Sequence, residues 1–315
     1  MAADMAQAAS WRLPSLALVA WAALASAASA GAAETHSDSQ ATTFGCVSDD
    51  LAQEVCLSAP AQRIIALSPN LVELVYAVGA GSTLVGAVSY SDYPAEASAL
   101  PRVGDSDRMD IEAILSLSPD LVLAWHGGNP RMQVDKLVAL GIPVYTSDAQ
   151  DFPTIASTLE RFGQLTGHTT HAETAAQQLR EGVAELEQRY QDAPTLSVFY
   201  QVWDKPLMTV NGEHWISQSL AICGAESLFA DADALVPRPS IENVLAADPD
   251  VIITGGKDAS DTAWHSNWLR FPQLSAVRHD NLFVVDPDLV QRATPRLLEG
   301  TRELCQRLDD ARERR

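Results

Sequence analysis

Short aliphatic runs alternate with helical patterns along most of the chain. Five runs have the length and composition of strands buried in a parallel sheet, and they lie at residues 63–67, 84–88, 142–145, 197–202 and 282–285. Caps, turn residues and apolar periodicity predict helices from 68 to Gly79 or Gly81, at 131–140, at 215–223 and from 295 onwards. In the first helix Ser68 is the predicted N-cap, and Glu73 is placed near the positive end of the helix dipole. The alternation predicts an α/β fold with mostly parallel sheets.

One of these units occurs twice. The segment at 111–115 and the Pro-Asp-aliphatic run at 119–123 return at 241–245 and 249–253, with Ile-Glu, Leu, Pro and Asp in the same register. A match at fixed spacing indicates a structural repeat. We interpret each copy as the end of a helix, a Pro-Asp turn and a buried strand. The sequence therefore predicts two similar lobes.

A long one-faced helical pattern separates the two copies. Small and apolar residues recur every three or four positions, at Ala172, Ala175, Leu179, Val183 and Leu186. The predicted organisation is an N-terminal lobe at 34–152, one linking helix at 153–191 and a C-terminal lobe at 192–315. In two-lobed α/β proteins the ligand lies between the lobes, at the loops that leave the strand ends.

The first 33 residues have the pattern of an export signal. A single Arg12 precedes an apolar run at 13–24 and Ala-Ser-Ala segments that end at Ala30 or Ala33, where we expect cleavage. The apolar run is too short to span a membrane comfortably. The mature protein is therefore predicted to be soluble and outside the cytoplasm.

The formal net charge of −20 argues against several partners. Phosphate groups would repel such a chain, which disfavours nucleic acid and an anionic membrane surface. The charge suits a protein that meets a basic partner, and it equally suits simple solubility in a variable medium.

Four cysteines in an exported chain predict two disulfide bonds. Cys46 and Cys56 flank a predicted hairpin with an Asp-Asp turn, where a bridge would add about 2–3 kcal/mol of stability. Cys223 and Cys305, on two predicted helices of the C-terminal lobe, form the other predicted pair. Because no His or Cys cluster has the spacing of a metal site, no bound metal is expected.

The loops predicted at the strand ends are rich in aromatic residues. They hold Tyr90, Trp125, Trp203, Trp215 and Asp288. Aromatic faces in a cleft favour a large, flat or apolar ligand, with a few polar groups that set its orientation. The alternative is that some of these side chains belong to the cores of the lobes. Two exported, acidic lobes around one cleft suit a binding protein better than an enzyme.

The sequence supplies no catalytic constellation. Ser68-Pro69-Asn70 is not a nucleophile elbow, and neither a Gly-x-Ser-x-Gly motif nor a phosphate-binding glycine loop occurs. The seven histidines are scattered, and the pair His168 and His171 lacks a third ligand. We therefore expect no enzymatic activity and no intrinsic cofactor.

Several segments resemble the periplasmic cobalamin-binding proteins of ABC importers. They are residues 63–74, 89–94 (Ser-Tyr-Ser-Asp-Tyr-Pro), 119–129 (ending in Ala-Trp-His-Gly-Gly-Asn), 222–226 and 291–296. The similarity covers about residues 61–310, and Cys223 and Cys305 match the family disulfide. It implies two Rossmann-like lobes joined by one long α-helix, a corrinoid gripped edge-on in the cleft, and delivery to a permease and ATPase complex in the inner membrane. We expect the protein to act as a monomer.

The resemblance also assigns roles to individual residues. Tyr90, Trp125 and Asp288 match ligand contacts of the family. Glu112 and Glu242, one on each lobe, match surface glutamates that pair with arginine pockets on the permease. The repeated Ile-Glu segment is therefore expected to serve docking as well as folding.

Two positions depart from the family. Where its best-known member has cleft tryptophans, this chain has Ser106 and Arg238, which removes stacking and burial unless other side chains replace them. The candidates for replacement are Trp203, Met208 and Trp215. Arg108 and Arg238 would also attract an anionic group, so a ferric siderophore or haem is the alternative ligand. The predicted ligand-binding set is Tyr90, Trp125, Trp203, Trp215, Arg238 and Asp288.

Overall fold

The computed structural model describes residues 44–256 and 262–315, and the predicted export signal at 1–33 lies outside the described residues. The described chain forms two lobes, each built on a four-stranded parallel sheet, and a two-stranded antiparallel hairpin precedes the first sheet. The predicted α/β architecture is confirmed. Within the two described ranges, no helix is both long and apolar enough to cross a membrane.

The first lobe holds the hairpin, one sheet and four α-helices. In chain order its elements are β1 (Gly45–Ser48), β2 (Glu54–Leu57), β3 (Ile64–Ala66), α1 (Pro69–Ala77), β4 (Leu84–Ala87), α2 (Ile111–Ser116), β5 (Leu121–Trp125), α3 (Arg131–Ala139), β6 (Val144–Ser147) and α4 (Phe152–Thr166). The strand order in the sheet is β4-β3-β5-β6. Ile64 and Ile65 of β3 belong to different cores, so the sheet is buried on both faces and its strands are continuously apolar. Ser68 is at the predicted N-cap of α1, but its hydroxyl donates to the Asn70 side chain.

The second lobe repeats this plan. Its elements are β7 (Leu196–Gln201), α6 (Trp215–Ile222), β8 (Ala225–Ser227), α7 (Ile241–Ala247), β9 (Val251–Gly255), α8 (Thr262–Leu269), α9 (Ser275–Arg278), β10 (Leu282–Val285), α10 (Pro287–Val290) and α11 (Leu297–Glu313). The strand order is β10-β9-β7-β8, and every neighbouring pair is parallel. The two repeat copies supply β5 and β9, the strands that pair directly with β3 and β7.

The repeated Ile-Glu segment begins a helix, so our interpretation of it as the end of a helix is wrong. The Asp110 carboxylate accepts the N–H of Ala113 (3.0 Å) and caps α2. Ser240 and Asn243 form a capping box at α7. Asp110 and Ser240, immediately before the two copies, carry the N-cap signal that the interpretation overlooked.

The Pro-Asp turn ties each copy to the neighbouring strand. The carboxylate of Asp120 accepts the N–H groups of Gln62 and Arg63 at 2.8 and 2.9 Å, just before β3. Asp250 accepts the N–H of Ser197 at 2.9 Å, at the start of β7. In each lobe, the repeated aspartate therefore holds the start of the neighbouring strand, which pairs with the strand of the same repeat copy.

The predicted linking helix at 153–191 is in fact two helices, so the single-helix prediction is wrong. The chain breaks at Gly167, whose φ of +76° lies in the left-handed region that favours glycine. The second helix, α5 (Thr169–Tyr190), runs back along α4, where Glu160 pairs with Arg180 (2.6 Å). The sequence signal of the break is Gly167 itself, because the period at 172–186 begins only after it.

The second of these helices, α5, connects the lobes. Its 22 residues span about 33 Å at the usual helical rise. It contacts α1 and α4 in the first lobe and α6 and α11 in the second. At its end the Tyr190 hydroxyl donates to the Asp309 carboxylate of α11 (2.8 Å). Thus α5 alone has the linking role predicted for 153–191.

Both predicted disulfide pairings are present. They join Cys46 to Cys56 across the hairpin, and Cys223 to Cys305 between the end of α6 and α11. The hairpin turn is fixed to the first lobe by Asp50, which pairs with Arg161 of α4 (2.6 Å) and accepts the N–H of Asp148 (2.6 Å).

Candidate ligand-binding cleft

The carboxyl ends of the two sheets carry four of the predicted ligand residues. Because each sheet is parallel throughout, the carboxyl ends of its strands share one edge. Tyr90 follows β4 and Trp125 ends β5 in the first lobe; Trp203 follows β7 and Asp288 follows β10 in the second. Side-chain contacts between the lobes bring these two edges together.

Arg292 makes the central contact between the lobes. It follows α10, its side chain is 14% exposed, and its guanidinium reaches three carboxylates. Nη1 lies 2.8 Å from Oε1 of Glu73 and 3.2 Å from Oδ1 of Asp92, both in the first lobe. Nη2 lies 3.1 Å from Oδ1 of Asp288 and donates to the Tyr90 carbonyl oxygen at 3.5 Å. Arg292 thus brings together Tyr90 and Asp288, two predicted ligand residues from opposite lobes.

Glu73 is the buried anchor of this ion network. Its side chain is only 2% exposed, and besides Arg292 it accepts from the Thr294 hydroxyl (3.1 Å) and from Arg296 (3.4 Å). Burial raises the pKa of Glu73 above its ordinary value, and the two arginines partly oppose this rise. The predicted role of Glu73 beside the α1 dipole is therefore wrong, because its carboxylate is directed to two arginines of the other lobe.

Tyr90 and Tyr93 form an aromatic rim on the first lobe. Tyr90 is 80% exposed and has a φ of +65°, an uncommon conformation for a tyrosine. The Tyr93 ring centroid lies 3.8 Å from the Arg296 guanidinium carbon, a cation–π contact between the lobes. The exposed Tyr90 ring is available to cover a flat ligand.

Trp125 is half-buried against the larger core. Its indole lies against the turn that follows it, because a Cβ added at Gly127 would lie 3.1 Å from Nε1, and one at Gly128 would overlap the ring. Its main-chain N–H donates to Oδ1 of Asn129 (2.7 Å). The Gly-Gly-Asn sequence after Trp125 therefore sets the position of this indole.

The two candidate tryptophans of the second lobe differ in exposure. Trp203 is 61% exposed, and its indole N–H donates to the Lys205 carbonyl oxygen of its own loop (3.1 Å). Trp215 packs on the lobe core, donates its indole N–H to the Val290 carbonyl oxygen (2.9 Å) and contacts the His214 ring, with 3.9 Å between centroids. Trp215 thus has the lobe-core role expected for some of these aromatics, whereas Trp203 offers an open face.

The other predicted site residues lie on loops and helix starts. Arg238 is exposed in the loop before α7, and Ser106 is half-buried in the loop between β4 and α2. Glu112 and Glu242 are exposed and occupy the second position of α2 and α7. The two glutamates are therefore equivalent positions on the two lobes.

A cavity of about 1000 Å³ lies beside Trp125. Its walls include His126, Arg131 of α3 and Cys56 of the hairpin. A second cavity, of about 810 Å³, lies along α5 and is bordered by Arg180 and Tyr190. Of the predicted ligand-binding residues, Trp125 lines the first cavity.

Metal coordination has no support in the described part of the chain. There, no group of three or more His, Cys, Asp or Glu side chains is arranged to hold a metal ion. The pair singled out in the sequence, His168 and His171, lies beside Gly79 at the end of α1.

Sequence reasoning missed three residues that organise the cleft: Asp92, Asn129 and Arg292. The sequence separations are 219 between Arg292 and Glu73 and 200 between Arg292 and Asp92, and no periodicity reports contacts at such separations. Asn129 had a local signal, because an Asn four residues after a strand-ending Trp can accept from its main-chain N–H.

The two lobes, the parallel sheets and a cleft at their carboxyl edges define a ligand-binding protein. The chain belongs to the periplasmic binding protein family, whose sequence profile matches residues 64–289. The disulfide-linked hairpin precedes the matched region.

Relatives within this family include vitamin B12-binding proteins. The vitamin B12-binding protein of Yersinia pestis (strain Pestoides F) is 38% identical over 255 residues, which is 80% of this chain and 89% of the relative. The crystal structure of the periplasmic vitamin B12 binding protein of Vibrio cholerae shares 35% identity, with a TM-score of 0.74 over 81% of this chain and 99% of that chain. A periplasmic heme binding protein from Pseudomonas aeruginosa shares 26% identity, with a TM-score of 0.67 over 78% of this chain and 91% of its own.

Proposed function

We propose that this protein captures cobalamin or a related corrinoid between its lobes and delivers it to an ABC permease and its ATPase in the inner membrane. One observation carries the proposal. Tyr90 and Asp288, from opposite lobes, meet at Arg292 in a chain 38% identical to a vitamin B12-binding protein. We further propose that the protein acts as a monomer in the periplasm, without a catalytic role or an intrinsic cofactor.

The proposed contacts combine aromatic area with a few polar groups. Tyr90, Trp125 and Trp203 supply ring faces for a corrinoid, and Asp288 and Arg238 supply polar groups around it. Trp215, which is half-buried on the lobe core, is the fourth aromatic of the proposed site.

Calorimetry on the protein from residue 34 onwards tests this function. Titration with cyanocobalamin and with dicyanocobinamide is expected to give saturable 1:1 binding. Trp125→Ala should weaken it at least about tenfold, because a buried aromatic wall is lost. Phe44→Ala, which removes an exposed aromatic of the hairpin, is the matched control and should leave the affinity unchanged.

The alternative ligand is haem or a ferric siderophore. The observation in its favour is that Ser106 and Arg238 stand where the family resemblance leads us to expect tryptophans, which removes two aromatic side chains and adds a positive charge. Similarity to the heme binding protein of Pseudomonas aeruginosa points the same way, at lower identity. If the protein binds haem or a ferric siderophore but neither cyanocobalamin nor dicyanocobinamide, the alternative ligand would replace the main proposal.

We propose that Glu112 and Glu242 dock the loaded protein on the permease. They are exposed and equivalent on the two lobes, so they offer a symmetric pair of charges. Glu112→Arg with Glu242→Arg should abolish uptake in cells that depend on this protein while ligand affinity stays intact.

A matched pair of charge reversals controls for net charge. Glu173→Arg with Glu185→Arg changes two exposed glutamates of α5 and should leave uptake intact. If reversal at Glu112 and Glu242 weakens ligand binding instead, these residues serve the cleft and the docking role is wrong.

A further inference from the structure

Asn129 connects three segments of the first-lobe cleft through one buried side chain. Its Oδ1 accepts the main-chain N–H of Trp125 at 2.7 Å, and its Nδ2 donates to the carbonyl oxygens of Leu67 at 2.8 Å and Ser106 at 3.1 Å. The residue is 7% exposed, so these bonds are shielded from water. Both donors and the acceptor oxygen of the amide are therefore engaged.

The three partners lie on three separate segments at the cleft edge, two in loops and one at the end of a strand. Leu67 directly precedes the turn from β3 into α1, Ser106 lies between β4 and α2, and Trp125 ends β5. The main chain closes the arrangement, because the N–H of Asn129 donates to the Trp125 carbonyl oxygen at 2.9 Å. A shift of any one loop would strain or break a bond to the same amide.

We propose that Asn129 is a positioning residue, which fixes the Trp125 indole and the Ser106 loop before the ligand arrives. This inference rests on the proposed function. Walls that are already ordered lose little freedom on binding, so more of the contact energy appears as affinity. The side chain acts through Trp125 and Ser106, to which it is hydrogen-bonded.

Asparagine suits this position because of its donors. Aspartate has nearly the same shape and keeps an acceptor for the Trp125 N–H, but at neutral pH it has no donor for Leu67 and Ser106. Its charge would face two carbonyl oxygens in a buried site, which is unfavourable. Asn129→Asp therefore tests the two donors with little change in volume.

The matched control is Asn281→Asp. Asn281 is also buried and donates to the Asp250 carbonyl oxygen (3.1 Å), but it precedes β10, at the sheet edge opposite the cleft. Both substitutions should lower the midpoint of thermal unfolding. Among proteins shown to be folded by circular dichroism, only Asn129→Asp should weaken cyanocobalamin binding, by about tenfold or more. Equal affinities for the two variants would overturn the proposal.

A double-mutant cycle separates positioning from general stability. In a Trp125→Ala background, Asn129→Asp should cause little further loss of affinity, because the group that it positions is gone. If the two losses multiply, Asn129 does not act through Trp125, and the proposal is wrong.

Fluorescence tests the same inference without a ligand. The difference in emission between the unmodified protein and Trp125→Phe isolates the Trp125 signal, and Asn129→Asp should make that signal more accessible to iodide quenching. Unchanged quenching would overturn the positioning role even if no corrinoid bound. Failure of corrinoid binding by the unmodified protein would instead count against the proposed function alone.

Discussion

At the scale of single residues, the site depends on two residues without side chains. Gly127 and Gly128 leave room for the Trp125 indole, and neither takes a positive φ. Glycine is therefore needed here for a close approach and not for a special backbone conformation. The requirement comes from the contact between the ring and the turn, not from the backbone of the glycines themselves.

Gly128→Ala should displace the indole, since its Cβ would overlap the Trp125 ring. Overpacking of this kind costs about 1–3 kcal/mol, and we expect corrinoid affinity to fall by roughly tenfold as the ring moves. Calorimetry measures the change. Gly45→Ala is the control, because a Cβ there meets no atom within 4 Å; equal affinities for the two variants would contradict the expectation.

At the scale of elements, α6 depends on a histidine cap. Nδ1 of His214 accepts the N–H of Ile216 at 3.2 Å, which requires a neutral ring with an unprotonated Nδ1. Burial lowers the pKa of His214 to about 4, from an ordinary value of 6.5. Because α6 also begins with Trp215, protonation of this cap would disturb a helix that carries a proposed ligand residue.

The His214 cap predicts a loss of stability in acid. As pH falls below 6.5, the unfolded chain takes up a proton at this position before the folded chain does. Stability that is complete above pH 6.5 is then lost towards pH 4, by up to about 3 kcal/mol. Urea unfolding at pH 7 and pH 4.5 measures it. His214→Asn keeps a capping acceptor, and its free energy of unfolding should change less between the two pH values. The control is His126→Asn at an exposed position, which should lose as much stability in acid as the unmodified protein.

At the scale of the whole molecule, the lobes are joined by α5 and by the ion network around Arg292. In this network Arg292 and Arg296 face three carboxylates: Glu73, Asp92 and Asp288. A buried carboxylate needs such partners, because an unpaired charge in the interior is strongly destabilising. The ion network therefore holds the two lobes together at the cleft, and its loss should destabilise both the cleft and the contact between the lobes.

Arg292→Met should lower the free energy of unfolding by about 3–5 kcal/mol at pH 7, because it leaves Glu73 buried without its nearest partner. The pKa of Glu73 would rise further, so protonation should relieve the defect and the deficit should shrink as pH falls towards 5. Urea unfolding at both values measures this. Arg131→Met breaks an exposed pair with Asp135 (3.8 Å) and should change stability by less than about 1 kcal/mol. A deficit that does not change with pH would show that Glu73 is not its source.

The sequence by itself determined the features that depend on neighbours along the chain. Strands such as β10 appear as apolar runs because both faces of the sheet are buried, and the predicted bounds 282–285 agree with the structure. The hairpin disulfide followed from two cysteines that flank a turn. The repeat predicted two lobes, and the order of strands and helices placed Tyr90 and Trp125 at the carboxyl edge of the first sheet.

Only the tertiary structure decided the features that depend on distant partners. Gly167 ends α4 and lets α5 pack back along it, and the helical period of α5 alone did not report that contact. Glu73 was predicted to lie near a helix dipole, but burial and two arginines more than 200 residues away gave it a different role. The hydrogen bond from the Trp215 indole N–H to Val290 also depends on a distant partner. The same is true of the bond from the Asn129 side chain to Leu67. Local patterns report the propensity of a segment, whereas the partner of a buried polar group is fixed only when the lobes pack.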